Sequence, residues 1–270
     1  MDGTLLDGDS RVSPRSAEII NRLSQRGTLI TVATARTPAT VDVLLRHTGI
    51  KIPAIVMTGA VLWDMQRHCY SHTNFIPADE VSQIVGCFND TGISPFIYTI
   101  PPGENLQVYH HGAMSRCEQK FVDERRHLAL KQFHLGLPGD TSAIDEPTVL
   151  FFGMGRLDAV YETAERIKAV SSCSISRYAD IFDPSVGQIE VLAPGVSKAA
   201  AIRRLATTLG VDEVVVFGDN LNDLSMMRAA DRSIAVANAL PEVKAVADEV
   251  IGYNTADAVA RYIERMEFGR

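Results

Sequence analysis

The chain has few of the features that mark secreted, zinc-binding or membrane proteins. Its 270 residues include only four cysteines, and no two of these have CxxC spacing. This argues against a disulfide framework and a cysteine-based zinc site. No apolar run reaches the roughly 18 residues of a membrane span, and no secretory signal pattern opens the chain. We therefore expect a cytoplasmic protein without a membrane partner.

An excess of positive charge is also absent. Lysine and arginine total 26 against 33 acidic residues, which gives a net charge of -7 and a pI near 5.5. This balance argues against a general nucleic-acid binder, so a phosphate-bearing ligand would need a local basic site or a metal. The 46% hydrophobic content suffices for a substantial core. We expect small-molecule partners and a monomer or homodimer.

Residues 214–223 are the most informative stretch that is present. Four apolar, mostly β-branched residues read as a strand buried in a parallel sheet, and Gly218 ends the run. Asp219, Asn222 and Asp223 then offer hard oxygen atoms, which suit Mg²⁺. A polar turn in which Asp223 caps the following helix is the alternative. An EF-hand loop is excluded because Leu221 stands where its third position needs an oxygen ligand.

The order of predicted helices and strands indicates an α/β fold. A helix is expected from Pro14 to Arg26 with Ser13 as its N-cap, followed by a strand over residues 28–34. After about Pro77 the pattern changes to that of an α+β domain. The sequence thus predicts a Rossmann-like parallel-sheet core from residues 1–77 and 188–270, with a smaller α+β domain inserted over residues 78–187.

Four short pieces stand at predicted strand ends or at a helix start. They are Asp2-Gly3-Thr4, Thr34, Lys198 after the predicted helix cap Ser197, and Asp219 to Asp223. Their order and spacing resemble the haloacid dehalogenase superfamily of phosphohydrolases. The resemblance covers essentially the whole chain and is closest to the Cof-type branch, whose type IIB cap is inserted between the second and third motifs. It implies that residues 78–187 form a cap.

The resemblance implies a metal site and an acid–base group. Asp219 would bind Mg²⁺ directly, Asp223 would support the ion directly or through water, and the Asp2 carbonyl would be a further ligand. In this family one Asp attacks phosphorus to give an aspartyl-phosphate. A second Asp two residues later, here Asp2, protonates the leaving alcohol and then activates water.

The resemblance also implies contacts to the phosphate. Thr34 would donate a hydrogen bond to a phosphoryl oxygen, and Lys198 would neutralise developing charge and hold the nucleophile. Arg36 would face the phosphate entrance, although a surface ion pair is an equal alternative for it. Asn222 would be a further substrate contact. The implied substrate is a small phosphorylated metabolite.

The chain departs from the family at its first motif, Asp-x-Asp-Gly-Thr. Met1 occupies the middle position and Asp2 is the second Asp, so the nucleophile and the strand that should lead into it are missing from the given sequence. A central strand of about five buried apolar residues contributes roughly 7 to 15 kcal/mol. We therefore expect the nucleophilic Asp immediately before Met1 in the natural protein, and an inactive chain as given. The alternative is a non-catalytic protein that binds phosphate ligands or has a regulatory role.

Overall fold

The structure is a computed structural model that describes residues 1–137, 145–180 and 183–268. The chain divides into two compact units. The first unit combines Met1–His72 with Ser197–Arg270, and the second comprises Thr73–Val196. The predicted inserted domain, 78–187, falls within the second unit. Its residues 138–144 and 181–182 lie outside the described residues.

Helices and strands alternate along much of the chain. The helices are α1 (Pro14–Gln25), α2 (Pro38–Leu45), α3 (Ala78–Asp90), α4 (Arg116–Asp123), α5 (Leu157–Val170), α6 (Lys198–Leu209), α7 (Leu224–Ala229), α8 (Pro241–Lys244) and α9 (Ala258–Phe268). The strands are β1 (Ala54–Val56), β2 (Val61–Asp64), β3 (Cys69–Thr73), β4 (Phe96–Thr99), β5 (Leu106–His111), β6 (Lys131–Leu137), β7 (Thr148–Arg156), β8 (Ser174–Ala179), β9 (Val186–Leu192), β10 (Val215–Gly218), β11 (Arg232–Ala235) and β12 (Glu249–Val250). Among the described residues, no helix is both long and apolar enough to cross a membrane.

The first unit contains two three-stranded sheets. In one, β10, β11 and β12 pair in parallel in that order. In the other the order is β1, β2, β3, with β1 and β2 antiparallel. Val216, Met226 and Val243 belong to a buried cluster around the parallel sheet. The fold is therefore α/β with a parallel-strand core, as the sequence predicted.

Residues 28–34 do not form the predicted strand. They make only an isolated parallel bridge between Ala33 and Ile55. The Ile55 N–H donates to the Val32 carbonyl and the Thr34 N–H donates to the Ile55 carbonyl, both at 2.9 Å. A run of apolar residues favours a strand, but a strand also needs a continuous ladder of backbone hydrogen bonds. Among the described residues, the bridge here has two such bonds, both to Ile55.

The second unit has one six-stranded sheet in the order β6, β5, β4, β7, β9, β8. All neighbouring pairs are antiparallel except β5 and β6. Phe88 of α3 and Phe151 of β7 are fully buried and their rings stack with centroids 6.0 Å apart. The unit thus has its own apolar core. Strand β6 was not predicted, although Phe133, Leu135 and Leu137 alternate with polar residues and glycine as in a strand.

Serine caps fix the starts of two helices in the first unit, as predicted. The Ser13 hydroxyl accepts the Ser16 N–H at 2.9 Å at the start of α1. The Ser197 hydroxyl accepts the Ala200 N–H at 3.1 Å at the start of α6. A serine cap satisfies one of the helix's first N–H groups. Lys198 is consequently held in the first turn of α6.

Candidate active site

The first residues of the chain form a tight turn. The Met1 carbonyl accepts hydrogen bonds from the N–H groups of Thr4, Leu5 and Leu6, at 3.3, 2.9 and 3.1 Å. Gly3 has a φ of +66°, which favours glycine because it has no Cβ. Leu6 is fully buried and anchors the turn. The turn is thus held by three backbone hydrogen bonds and by one buried side chain.

Asp219 lies immediately after β10 and against this turn. Its carboxylate accepts a hydrogen bond from the Thr4 hydroxyl. A Cβ on Gly3 would lie 2.3 Å from Asp219 Oδ2, so only glycine allows this approach. The Asn238 side-chain amide donates to the Gly3 carbonyl at 2.7 Å and holds the turn from the other side. Burial raises the pKa of Asp219, although the Thr4 hydrogen bond opposes this shift.

Lys198 and Asp223 form a buried ion pair beside Asp219. Lys198 Nζ lies 2.7 Å from Asp223 Oδ1, and each side chain is only 4% exposed. Asp223 Oδ2 accepts the N–H groups of Asp219 and Asn220 at 3.2 and 3.3 Å. Burial alone would raise the pKa of Asp223, but the Lys198 charge and hydrogen bond hold that pKa below its ordinary value. Asp223 thus braces the loop after β10 and makes no side-chain cap on α7.

The start of α6 is fixed from a second direction by Gly59. This glycine has a φ of +101°, and a Cβ on it would lie 2.4 Å from the Ser197 carbonyl oxygen. Only glycine permits both the backbone angle and the close approach. Gly59 lies in the turn between β1 and β2. It is therefore a positioning residue for Lys198.

Thr34 and Arg36 stand at the end of residues 28–34. Thr34 is buried, and its hydroxyl accepts the Arg36 N–H at 3.2 Å. The Arg36 guanidinium donates to both carboxylate oxygens of Asp2, at 2.8 and 2.5 Å. Partial burial would raise the pKa of Asp2, but the Arg36 hydrogen bond and charge lower it overall. Arg36 therefore makes an ion pair, one of its two predicted roles, and its partner is a candidate catalytic residue.

The α-ammonium group of Met1 is buried among these side chains. Burial and the nearby Lys198 charge lower its pKa, whereas the carboxylates of Asp223, Asp219 and Asp2 raise it. The Met1 nitrogen is therefore close to Lys198, Asp219 and Asp223. Asn222, by contrast, is exposed.

The oxygen donors near Asp219 are the candidate ligands of the predicted Mg²⁺ site. Among the described residues, no group of three or more His, Cys, Asp and Glu side chains could hold a metal ion. Both Asp223 oxygens already accept hydrogen bonds, so its carboxylate suits an indirect role. The Asp219 carboxylate and the carbonyls of the Asp2–Thr4 turn are hard oxygen donors of the kind Mg²⁺ prefers. The residues present therefore fit the ion in part.

Thr4 and Asn238 hold the turn against Asp219, and neither role was predicted. The sequence held a signal for the role of Thr4, because this residue directly follows Asp2-Gly3, a pair typical of turns. It held no such signal for Asn238. This asparagine lies 235 positions from Gly3, and no local pattern reports a contact over that separation.

Comparison with known proteins identifies the family. Residues 1–263 match the family model for haloacid dehalogenase-like hydrolases. The chain belongs to this family. Two curated relatives are a pyridoxal phosphate phosphatase, YbhA, from Escherichia coli K12 and an HMP-PP phosphatase from Serratia proteamaculans. They are 24% and 25% identical, with 97% and 98% of this chain and 95% and 92% of each relative covered.

Solved structures of haloacid dehalogenase-like hydrolases share this fold. A sugar phosphatase of subclass IIB superposes with a TM-score of 0.74 at 22% identity, covering 100% of this chain and 96% of that chain. The resemblance to Cof-type phosphatases read from the sequence is confirmed. Because the curated relatives are phosphatases, phosphatase chemistry is the activity that membership supports.

Proposed function

We propose that this haloacid dehalogenase-like hydrolase is a Mg²⁺-dependent phosphatase for a small phosphorylated metabolite. The observation that carries the proposal is the buried Lys198–Asp223 pair, 2.7 Å between charged atoms, beside Asp219 and the Met1 nitrogen. A fixed positive charge next to a buried carboxylate, in a site that holds a strongly charged phosphate, provides electrostatic stabilisation. The nucleophile of the proposed reaction is an Asp carboxylate immediately before Met1.

The proposed reaction has two displacements. The Asp carboxylate attacks phosphorus, the P–O bond to the alcohol breaks, and Asp2 gives a proton to the leaving oxygen. Water then attacks the aspartyl-phosphate, loses a proton to Asp2 and releases inorganic phosphate. Since Asp2 is paired with Arg36 in the structure, its carboxyl group must leave the guanidinium before it can carry the proton.

The remaining residues bind charge. Lys198 neutralises charge on the transferring phosphoryl group, and the Thr34 hydroxyl hydrogen-bonds one of its oxygens. Asp219 and the Asp2 carbonyl would hold Mg²⁺, with Asp223 supporting the site, and the ion would offset repulsion between phosphate and carboxylates. Arg36 and Asn222 are proposed as further contacts to the substrate. The second unit is proposed as the cap that selects the leaving group.

The substrate class comes from the relatives. Their names give pyridoxal phosphate and HMP-PP as substrates, and a structural neighbour is a sugar phosphatase. The feature shared by these substrates is a phosphoryl group on a small organic molecule. We therefore propose a small phosphorylated metabolite, such as a sugar phosphate, as the substrate of this chain.

The test compares three chains in the hydrolysis of an aryl phosphate with Mg²⁺. These are the chain as given, a chain extended before Met1 by five apolar residues and an Asp, and the same extended chain with that Asp changed to Asn. The chain as given should have little or no activity, and the extension should raise turnover by roughly 10⁴-fold or more. Equal turnover of the first two chains, or full activity with Asn, would show that the nucleophile is wrongly assigned. An inactive extended chain that still binds phosphate would favour the non-catalytic alternative.

A further inference from the structure

Lys131 is a buried cation on one face of the six-stranded sheet. Only 8% of the residue is exposed, and its Nζ atom lies 5.0 Å from the centroid of the Phe133 ring. Among the described residues, no carboxylate pairs with this ammonium group, and the one charge that shifts its pKa is that of Arg125. A buried charge is normally paired, because its removal from water is costly. Lys131 therefore lacks the counter-charge that its burial calls for.

Tyr98 lies on the same face of the sheet as Lys131. Tyr98 of β4 pairs with Val108 of β5, and Leu106, two positions before Val108, pairs with Lys131 of β6. Paired residues, and residues two apart on a strand, project from one face. Tyr98 is only 3% exposed, and its hydroxyl has no hydrogen-bond partner among the described residues. Neither this oxygen nor Lys131 Nζ belongs to the fully buried atoms without a partner, so each keeps some accessible surface.

Helix α4 packs on this face and is followed by Arg125. The ring of Phe121 lies against Phe96 and Phe152, with centroids 5.2 Å apart in both cases. The Arg125 guanidinium lies 4.3 Å from the Phe121 ring centroid and donates to the Phe121 carbonyl at 3.1 Å. Its acidic partner is Glu124, at 2.8 Å, which is exposed. An exposed ion pair of this kind is weak, so Arg125 is held mainly by Phe121.

The pKa values show that Arg125 is close to both other groups. Burial raises the pKa of Tyr98 and lowers that of Lys131 to about 8, and the nearby Arg125 charge lowers both. Glu190 raises the pKa of Tyr98 but is not among the charges that shift the pKa of Lys131. Its carboxylate hydrogen-bonds with Tyr178. Two positive charges and one hydroxyl therefore meet at a place where no described carboxylate balances Lys131.

We infer that the Lys131 ammonium, the Arg125 guanidinium and the Tyr98 hydroxyl form a binding site for a small dianionic oxyanion, namely a phosphate group. Two positive charges match the charge of the dianion, and all three groups can donate hydrogen bonds to its oxygen atoms. The anion would supply the missing counter-charge and offset the repulsion between the two cations. The site lies in the second unit, whereas every residue assigned to the proposed reaction lies in the first.

The test follows the protonation of Lys131 by NMR in the full chain as given. Lysine Cε atoms are labelled with ¹³C, and their chemical shifts are recorded from about pH 6 to about pH 11, a range that spans free and buried lysine. One series contains chloride and the other inorganic phosphate at equal ionic strength, which keeps screening constant. The signal that disappears in Lys131→Met identifies Lys131.

Phosphate should raise the titration midpoint of Lys131. In chloride the midpoint should lie near the pKa of about 8. Phosphate should raise it by at least about one pH unit, which means that the charged lysine binds phosphate at least about tenfold more tightly than the neutral one. Lys120, which is exposed in the same unit, should not respond. An unchanged midpoint of Lys131, or an equal change at Lys120, would overturn the inference.

Arg125→Gln tests whether the anion lies between the two cations. Loss of the repelling charge should raise the Lys131 midpoint in chloride, and loss of one donor should reduce the further rise caused by phosphate. Arg126→Gln is the matched control, because Arg126 is the exposed neighbour of Arg125 and should have neither effect. Tyr98→Phe removes only the hydroxyl and should reduce the phosphate effect without abolishing it. A full phosphate effect in Arg125→Gln would contradict the site.

The same spectra separate this site from the proposed active site, because Lys198 has its own signal. A response of Lys198 to phosphate without one of Lys131 would overturn the inference and leave the proposed function standing. A response of Lys131 alone would support the inference and count against the proposed function. Methyl phosphate then distinguishes two sources of the ligand. An equal rise of the Lys131 midpoint would assign the site to phosphorylated metabolites, and no rise would assign it to the free phosphate ion.

Discussion

Lys198 and Lys131 are both buried lysines, but of the two only Lys198 has a carboxylate within bonding distance. Among the described residues, Lys131 Nζ has no acidic partner and lies 5.0 Å from the Phe133 ring centroid. Burial, with the Arg125 charge nearby, lowers the pKa of Lys131 to about 8. At neutral pH the second unit therefore carries a buried charge that no described acidic side chain compensates.

Replacing Lys131 by Met should stabilise the protein most at neutral pH. Below pH 8 the native chain holds this charge in the core. Between pH 8 and about 10.4 the folded lysine is neutral while the unfolded one remains charged. The native chain thus gains stability as pH rises through this window, and the advantage of Lys131→Met, roughly 3 kcal/mol at pH 7, should shrink.

Denaturant unfolding from pH 7 to 10 measures this difference. Lys120→Met is the matched control, because Lys120 is exposed in the same unit. Its free energy of unfolding should differ from that of the native chain by an amount that does not change with pH. A constant difference for Lys131→Met would contradict the prediction.

Asp219 should be the principal side-chain ligand for Mg²⁺. Asp219→Asn keeps the size of the side chain and removes the charge that a hard cation needs. Titration calorimetry with Mg²⁺ should show binding lost or much weakened in this variant. Asp212→Asn, an exposed carboxylate just before the same strand, should bind as the native chain does. Equal affinity of the two variants would rule out the assignment.

At the scale of elements, the start of α6 depends on a close approach of two backbones. Gly59→Ala would place a Cβ 2.4 Å from the Ser197 carbonyl oxygen at a φ of +101°. Gly27 has nearly the same φ, +100°, with open space around it. Gly27→Ala should therefore lower the free energy of unfolding only by the backbone strain, roughly 1 kcal/mol.

Gly59→Ala should lower the free energy of unfolding by roughly 3 kcal/mol or more, because the start of α6 must move as well. Thermal or denaturant unfolding of the two alanine variants gives the comparison. In the extended chain of the proposed function, Gly59→Ala should also lower turnover, since it shifts Lys198. Equal destabilisation at the two positions would mean that the contact with Ser197 has no effect.

Local sequence signals predicted the elements that depend on local interactions. The serine caps of α1 and α6 were found as expected. The prediction of a strand over residues 28–34 was wrong, because a strand requires hydrogen-bonding partners that the pattern of apolar residues does not report. The family resemblance placed Lys198 and Asp223 in one site, but it did not predict that they form an ion pair. The Arg36–Asp2 pairing was left open, since nothing in the sequence states which ion pairs form.

For the whole molecule, the second unit should fold alone. Residues 73–196 are contiguous and contain all six strands of one sheet. A domain of this size with its own core can be independently stable. Circular dichroism and dispersed amide NMR signals should show a folded fragment. The fragment 78–187 is the control. It ends inside β9, the strand that lies between β7 and β8 in the sheet. This fragment should be unfolded, because most of β9 is missing.

Both ends of the second unit lie beside the start of β7. The Ile76 N–H donates to the Thr148 carbonyl at 2.8 Å, and Leu192 pairs with Leu150. On the ribosome this unit is complete before Ser197 and the residues after it are made, while the first 72 residues still lack most of their core. Once the unit folds, its two ends are held near one another. The contact between Thr4 and Asp219, 215 positions apart, then closes a much shorter effective loop, at a lower entropic cost.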